Sequence, residues 1–358
     1  MITLRPHLFA NLGETHGVHF RLITNSDLVE KFHIADEQSY ISTGIVKCDR
    51  PEEFPTILAD GHLPRPLHVL VITPECLFSS PDSNVIGDKC KILVMPCNST
   101  SIELTDIAHF LSVMEQSDVT KQKSWADRFF SSGEDSEYID FVDDNTQTKA
   151  RFSHISDQYE WFEQLGPVEW GGQQFCPAGE ISVLPMFHGN YDPEKRLAIN
   201  GQITLCGYPI LNSGRPLFMR RDQERIYQEL SGIKRLSIIA TVKDGEITDL
   251  ASNDPAAKPA TDMLQAMFKV DSRYRIIWEV GFGSNTTMQV IDGNKAPNES
   301  YGHKNGCVHW GLGLTPWTQY HLDILCPNTK VVTSKGVYIA GDVKMNRKVA
   351  EACPCLVN

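Results

Sequence analysis

A short glycine-rich strand and the segment after it constrain this chain more than any other feature. Residues 307–313 read CVHWGLG, and His321-Leu322-Asp323 begins twelve residues after His309. Alternate side chains of an extended strand share a face, so two glycines leave space in front of the His309 imidazole. His321 and Asp323 share a face on the next extended segment. Two imidazoles and a carboxylate arranged this way can bind a divalent metal and leave positions open for water or substrate.

The same residues also have a simpler explanation. The carboxylate of a His-x-Asp pair often only fixes a histidine tautomer through a hydrogen bond. The metal interpretation therefore depends on further carboxylates. Glu180 follows a Pro-Ala-Gly turn, where it can be solvated or cap a backbone amide. Glu279 follows Ile276-Ile277-Trp278 in an apolar strand, and burying it without a partner is costly. It is therefore exposed, paired with Arg275, or bound to a metal.

Four motifs in a fixed order resemble one known family. PAGE (177–180), EVGFGSN (279–285), VHWGLG (308–313) and HLD (321–323) are similar to motifs of the metal-dependent leucyl aminopeptidases of the aminopeptidase T type. The same superfamily includes 2,5-dihydroxypyridine 5,6-dioxygenase. The resemblance spans residues 175–338. It implies an N-terminal α/β domain and a C-terminal β-rich domain that carries the site.

The resemblance also implies a set of metal ligands. In the aminopeptidases two glutamates, two histidines and an aspartate bind a pair of divalent ions, and by motif these fall on Glu180, Glu279, His309, His321 and Asp323. In the dioxygenase branch the last three positions would bind one non-haem iron. We therefore expect one or two divalent ions, with zinc, manganese, cobalt and ferrous iron as the candidates.

The chain departs from the aminopeptidase pattern near the first histidine. The family has a glutamate base shortly before it, where this chain has residues 304–306, KNG. Glu299 is the nearest carboxylate, several residues out of register, and His303 is a further candidate to replace the base. His188, shortly after the PAGE motif, can act as acid, base or substrate ligand, or simply face solvent. Pro316 stands where the family has a tyrosine.

Composition limits the classes of function. The 358 residues suffice for two domains, which we predict at residues 1–133 and 134–358. A net charge of −12 without a basic block argues against a nucleic-acid groove. No apolar run approaches a membrane span, and we expect no signal peptide. We therefore expect a cytoplasmic location, and the resemblance suggests a homodimer.

The predicted fold class is α/β: an N-terminal domain with a mostly parallel sheet, followed by a β-rich α+β domain. Short apolar runs at residues 67–73 and 91–95 predict strands covered on both faces. Ser99-Thr100-Ser101 is expected to cap a helix over residues 102–114, and a second helix is expected over 121–130. The acidic stretch 131–144 is predicted to be a solvated loop at the domain seam.

Three functions remain open from the sequence. The leading one is a metal-dependent hydrolase of amide or peptide bonds with altered acid and base residues. The second is a mononuclear iron ring-cleaving dioxygenase acting on heteroaromatic substrates, which needs only the two histidines and the aspartate. The third is a catalytically inactive protein that binds a peptide or small molecule in a biosynthetic pathway.

Overall fold

The computed structural model describes residues 1–341 apart from residues 36, 60, 77–80, 82, 100–101, 186–191, 193 and 213–216, and gives only the backbone of residues 83, 84 and 217–219. The predicted candidate His188 lies outside the described residues. The described helices are α1 (Phe54–Leu58), α2 (Ser83–Ile86), α3 (Leu104–Gln116), α4 (Val119–Glu134), α5 (Leu217–Leu230) and α6 (Lys258–Val270).

The described strands are β1 (Ile2–Leu4), β2 (His19–Thr24), β3 (Phe32–Ile34), β4 (Ser42–Lys47), β5 (Leu67–Ile72), β6 (Cys90–Val94), β7 (Ile139–Asp143), β8 (Thr148–Phe152), β9 (Glu160–Gln164), β10 (Gln173–Phe175), β11 (Glu180–Leu184), β12 (Ile199–Leu205), β13 (Tyr208–Asn212), β14 (Ile238–Lys243), β15 (Glu246–Ala251), β16 (Ile277–Gly283), β17 (Cys307–Leu312), β18 (His321–Cys326), β19 (Lys330–Thr333) and β20 (Tyr338–Ala340).

The N-terminal half is built around a parallel sheet with the strand order β10-β6-β5-β2-β4. Every residue of β5 and β6 is buried, as their nearly continuous apolar sequence predicts for strands covered on both faces. Helix α3 begins at Leu104 rather than at residue 102. Its N-cap is Glu103 and not one of the preceding serines. Glu103 and Asp106 form a capping box, in which the side chain of each accepts a hydrogen bond from the backbone N–H of the other.

The C-terminal half contains two antiparallel sheets. One has the order β13-β18-β17-β16-β11-β9 and the other β15-β14-β12-β8-β7-β19-β20. One face of the six-stranded sheet packs on the seven-stranded sheet, where Phe141 lies 4.7 Å from Trp310 and 6.4 Å from Phe282 between ring centroids. The predicted fold class is confirmed. The domain boundary at residue 133 stays a prediction, and β10 joins the N-terminal sheet from beyond it.

The prediction of a solvated loop over residues 131–144 was wrong. Helix α4 continues to Glu134, and β7 occupies Ile139–Asp143. Ile139 and Phe141 are buried in the core, whereas Asp140 between them forms ion pairs with Lys149 and Arg151. The acidic residues concealed a strand because Asp140 and Asp143 are buried with partners rather than solvated, and Asp143 Oδ1 accepts hydrogen bonds from the backbone N–H groups of Asn145 and Thr146.

Candidate metal centre

The second face of the six-stranded sheet carries the candidate donors. Along β16, Val280 and Phe282 point into the core, so Glu279, Gly281 and Gly283 point the opposite way. Across the strands, Glu279 is opposite Gly311, and Gly311 is opposite Asp323. His309 is opposite Gly281 in the same manner. Donor residues on this face therefore alternate with glycines.

The glycines create the room that the donor side chains occupy. A Cβ atom added to Gly281 would lie 1.9 Å from His309 Nε2. One added to Gly311 would lie 2.7 Å from Glu279 Cβ and 2.9 Å from His321 Nε2. These distances are far shorter than ordinary van der Waals contact. The imidazoles thus lie directly against backbone that only glycine leaves uncovered.

A third glycine brings Glu299 to the same place. A Cβ atom on Gly283 would lie 2.3 Å from the carbonyl oxygen of Tyr301 and 3.0 Å from that of Glu299. The 3-10 helix Ala296–Ser300 therefore rests directly on the sheet. Its position is fixed from the N-terminal half, because Ser99 Oγ accepts a hydrogen bond from the Ala296 backbone N–H (2.9 Å).

The donors form two groups that share one carboxylate. In the first, His309 Nε2 lies 3.3 Å from Glu180 Oε1 and 3.7 Å from Glu299 Oε1. In the second, His321 Nε2 lies 2.9 Å from Asp323 Oδ1 and 3.4 Å from Glu279 Oε2. Within each group the ligand atoms lie within 4.8 Å of one another, and Glu279 belongs to both groups.

Four buried polar atoms of these groups lack hydrogen-bond partners within the described part of the chain. They are His309 Nδ1 and Nε2, His321 Nε2 and Asp323 Oδ1. The short contacts to carboxylates do not have hydrogen-bond geometry. Such atoms are costly to bury, and cations next to His309 Nε2, and between His321 Nε2 and Asp323 Oδ1, would satisfy these three atoms. Oxygen and imidazole nitrogen donors are the set that zinc, manganese, cobalt and ferrous ions accept, so the residues fit a divalent metal.

The charges of the cluster perturb its own protonation. Burial raises the pKa of Glu299 well above its ordinary value, and the neighbouring carboxylates of Asp323, Glu180 and Glu279 add to this effect. Burial works against a charged His321, but Asp323 and Glu279 outweigh it and raise the pKa of that imidazole well above its usual range. The site thus contains an excess of negative charge that attracts a cation.

Two further polar side chains hold the donors in place. The side-chain amide of Asn212 donates a hydrogen bond to Asp323 Oδ2 (3.2 Å). Burial favours the neutral form of Glu279, but His321, His309 and, least of all, the hydroxyl of Ser182 on β11 outweigh it and lower the pKa of that carboxyl. Supporting hydrogen bonds of this kind orient metal ligands.

The structure brings all five predicted ligands into one cluster and adds Glu299, which the sequence placed out of register. The alternative pairing of Glu279 with Arg275 is not observed. Arg275 instead donates to the carbonyl oxygen of Ile247 (3.4 Å). His303 lies outside both donor groups, and its Nδ1 hydrogen bonds to the Tyr301 hydroxyl (2.8 Å). The sequence did not predict Ser182 or Asn212. Ser182 lies two residues after Glu180 on the same face of its strand, and Asn212 lies opposite His321 in the sheet.

A narrow crevice leads to the first donor group. It encloses about 20 Å³, room for about one water molecule, and reaches Glu180 and Glu299. Its walls are mainly apolar and include Pro96, Pro177 and Pro297. The crevice lies between the N-terminal sheet and the donor face, because Pro96 follows β6 and Pro297 belongs to the 3-10 helix. The crevice therefore gives a water molecule access to the carboxylates.

Comparison with known proteins finds solved structures that resemble this chain. No protein-family model and no curated protein matches the sequence. Among solved structures, 2,5-dihydroxypyridine dioxygenase from Pseudomonas putida KT2440 is similar, with a TM-score of 0.54, 16% identity and 92% of each chain covered. The chain has the fold of this dioxygenase. The resemblance inferred from the motifs is thus confirmed at the level of the fold.

The second structure is less similar to the chain. Wild-type AmpT from Thermus thermophilus aligns with a TM-score of 0.44 and 10% identity, over 92% of this chain and 95% of that one. Neither comparison identifies the reaction of this chain, so its function must be argued from the site itself. Among the described residues, no helix has both the length and the apolar character needed to cross a bilayer.

Proposed function

We propose that this protein is a metal-dependent hydrolase of amide or peptide bonds that uses two divalent ions. The observation that carries the proposal is the division of the donors into two groups that share Glu279. A shared carboxylate between two groups is the arrangement expected for neighbouring ions in a two-metal site. Glu180 and His309 would complete the first site, His321 and Asp323 would complete the second, and Glu299 would lie beside the first ion.

The distribution of the histidines supports two ions rather than one. His309 Nε2 is nearest to Glu180 and Glu299, whereas His321 Nε2 is nearest to Asp323 and Glu279. A single iron bound by both histidines and Asp323 would require these nitrogens to converge on one point. They instead belong to separate groups.

The charge of the cluster leads to the same conclusion. Glu180, Glu279, Glu299 and Asp323 carry four negative charges when all are ionised, and two divalent ions balance them. One ion would leave an excess of buried negative charge, which is costly in a protein interior. Bound divalent ions polarise a substrate carbonyl and lower the pKa of a coordinated water toward neutrality.

Glu299 is the candidate general base. It lies on the 3-10 helix rather than on a strand, and it lines the crevice next to Glu180. Its side chain keeps 19% of its surface exposed, whereas that of Asp323 is completely buried. A carboxylate at this place can take a proton from an attacking water and pass it to a leaving amine. His188 and His303 remain candidate acids or bases from the sequence alone.

We expect a small substrate such as a short peptide or a small amide. The alternative function is a ring-cleaving dioxygenase with ferrous iron, which the shared fold favours. A protein that only binds a peptide or small molecule is the remaining alternative. We expect a homodimer in solution, which light scattering after size-exclusion chromatography will test.

The decisive experiment combines metal counting with two activity assays. Chain loaded with zinc, manganese or cobalt is expected to retain two ions and to hydrolyse members of a panel of aminoacyl amides and dipeptides. Chain loaded with ferrous iron without oxygen is then assayed for oxygen uptake with hydroxylated pyridines. Oxygen uptake without amide hydrolysis would establish the alternative. Bound metal without either activity would favour a binding protein.

Glu299→Gln separates the role of the base from that of a ligand. Glutamine keeps a carbonyl oxygen but cannot accept the proton. The variant is expected to bind both ions and to lose roughly 100-fold or more in kcat, which is the range for loss of a general base. Unchanged kcat would exclude Glu299 as the base. Glu246→Gln is the matched control, because this exposed glutamate on β15 lies outside both donor groups.

A further inference from the structure

Glu299, the candidate base, is carried by the long segment between β16 and β17. This segment comprises residues 284–306 and contains one helix, the 3-10 helix Ala296–Ser300. Connecting segments generally move more than the strands that they join. A general base, however, must stay in place, since a displacement of about 1 Å can cost roughly 100-fold in rate. The contacts that hold this helix therefore matter for the proposed reaction.

Hydrogen bonds within the segment bring its two ends together. The Asn285 N–H donates to the carbonyl oxygen of Ser300, and the Gly302 N–H donates to that of Asn285 (both 3.0 Å). The Asn298 side chain donates to the carbonyl oxygen of Ile291 (2.9 Å) and accepts from the N–H of the same residue (3.2 Å). These bonds close the segment on itself, but they do not connect it to the N-terminal half.

An ion pair makes that connection. Lys295, which immediately precedes the 3-10 helix, places its Nζ 2.6 Å from Asp106 Oδ2 on helix α3. The two side chains are only 12% and 16% exposed, so water and salt screen the pair much less than a surface pair. Asp106 Oδ2 also accepts a hydrogen bond from the Glu103 N–H (3.0 Å), which fixes the carboxylate in the first turn of α3.

Helix α3 is a firm attachment point because it is anchored in a hydrophobic core. Ile107 and Phe110 are buried in the apolar cluster of the N-terminal half, and Met288 of the segment packs in the same cluster. Ser99 accepts a neutral hydrogen bond from the Ala296 N–H, whereas a hydrogen bond between ionised groups is roughly twice as strong. The ion pair is therefore expected to contribute more than Ser99 to holding the helix.

We propose that Asp106 and Lys295 are positioning residues for the proposed reaction. Their ion pair attaches the 3-10 helix to the N-terminal half and thereby keeps Glu299 next to the first donor group. The inference rests on the proposed function, in which Glu299 is the base. Neither Asp106 nor Lys295 belongs to a donor group, so both act only through the position of Glu299. Loss of the ion pair should let the helix move while the closed segment and both metal sites remain.

Hydrogen–deuterium exchange of the metal-free chain, measured by mass spectrometry, tests the attachment independently of activity. Lys295→Met keeps the aliphatic part of the side chain and removes the charge. Backbone amides of residues 296–302 are expected to exchange about tenfold faster than in the wild type, the effect of losing one charge-assisted hydrogen bond. Lys295→Arg, which keeps the charge, should restore slow exchange. Unchanged exchange in Lys295→Met would overturn the proposal.

Steady-state kinetics of the metal-loaded chain then show whether the attachment serves Glu299. Lys295→Met is expected to retain two ions and an unchanged KM, while kcat falls about tenfold. In the double variant with Glu299→Gln, the loss should be no larger than that of Glu299→Gln alone, because both changes act through one carboxylate. Additive losses would overturn the positioning role. A wild-type chain that hydrolyses no amide would instead refute the proposed function, whereas the exchange measurement would still decide whether the ion pair holds the helix.

Two further variants complete the test. Asp106→Asn/Lys295→Met leaves no buried charge unpaired, so it gives the same measurements if the single variant does not fold. Asp292→Asn is the matched control. Asp292 lies on the same segment and pairs with Lys234 (2.5 Å), but both residues belong to the C-terminal half, and the Asp292 side chain is 91% exposed. Loss of such an exposed pair should change neither exchange nor kcat. Equal effects of the control would show that any lost ion pair loosens the segment and would overturn the assignment.

Discussion

Replacing Gly281 with alanine is expected to weaken one metal site without changing a donor. The added methyl carbon would lie 1.9 Å from His309 Nε2 and 2.0 Å from its Cε1. Carbon atoms in contact prefer about 3.5 Å, so the ring must move by roughly 1.6 Å. Gly281 does not have a positive φ, and its backbone therefore accepts alanine without strain. The whole effect should come from the displaced imidazole.

The expected magnitude follows from the surroundings of His309. Its side chain is completely buried, so the ring can move only by displacing packed neighbours. Overpacking of this kind costs about 1–3 kcal/mol of unfolding free energy. Moving a ligand by this distance should weaken binding of the first ion by on the order of 100-fold, the upper end of the loss seen when an outer supporting residue is removed. The second ion should bind nearly as before.

Metal affinity is measured by competition with a chromophoric chelator, and stability by urea unfolding. Gly44→Ala is the matched control. Gly44 lies on β4, away from the donors, and a Cβ atom there would make an ordinary contact of 3.5 Å with the Arg21 side chain. In the double variant Gly281→Ala/His309→Ala the two losses should not add, because both act through one imidazole. Wild-type affinity for both ions in the folded Gly281→Ala variant would refute the reasoning.

Three further perturbations test the site and the scaffold. Glu279→Gln should weaken the binding of both ions, whereas His309→Ala should remove only one ion, as counted by mass spectrometry of loaded protein. Asn212→Leu should weaken metal binding roughly 10- to 100-fold by releasing Asp323, without changing the number of sites. Burial and nearby Lys91 lower the pKa of His68 to about 4. The unfolded chain therefore binds the extra proton first, and stability should fall by up to about 3 kcal/mol from pH 6.5 to 4 in urea unfolding, a slope that His68→Gln should flatten.

The parts of the site that the sequence could predict lie on regular strands. Period-two alternation is enough to place His321 beside Asp323 and to leave space next to His309. The order of the motifs, which resembles that of a known family, then added Glu180 and Glu279 to the predicted ligands. Strand pairing was not available from the sequence, so the opposition of Glu279 and Asp323 across Gly311 appears only in the structure.

Glu299 shows why register along the chain is a poor guide outside regular strands. It stands ten residues before His309, too far for the expected base position. A 3-10 helix advances along a different path from a strand, and Gly283 lets this helix rest on the sheet. The carboxylate therefore reaches His309 from above the sheet. No periodicity in the sequence encodes such an approach, because the contact depends on how closely two backbones pack.

The glycines also decide between the two explanations of the His-x-Asp pair. A carboxylate that only fixes a tautomer needs one histidine and one aspartate, and it needs no cleared surface around them. Here Gly281, Gly283 and Gly311 clear adjoining positions on one sheet face, and a side chain at any of them would collide with a candidate donor or with the segment that carries one. Each glycine inside a strand lowers the free energy of unfolding by roughly 0.5–1 kcal/mol relative to alanine. Three such positions around six converging donors are difficult to explain by tautomer control, and they are expected if the face must accommodate ions and their ligands.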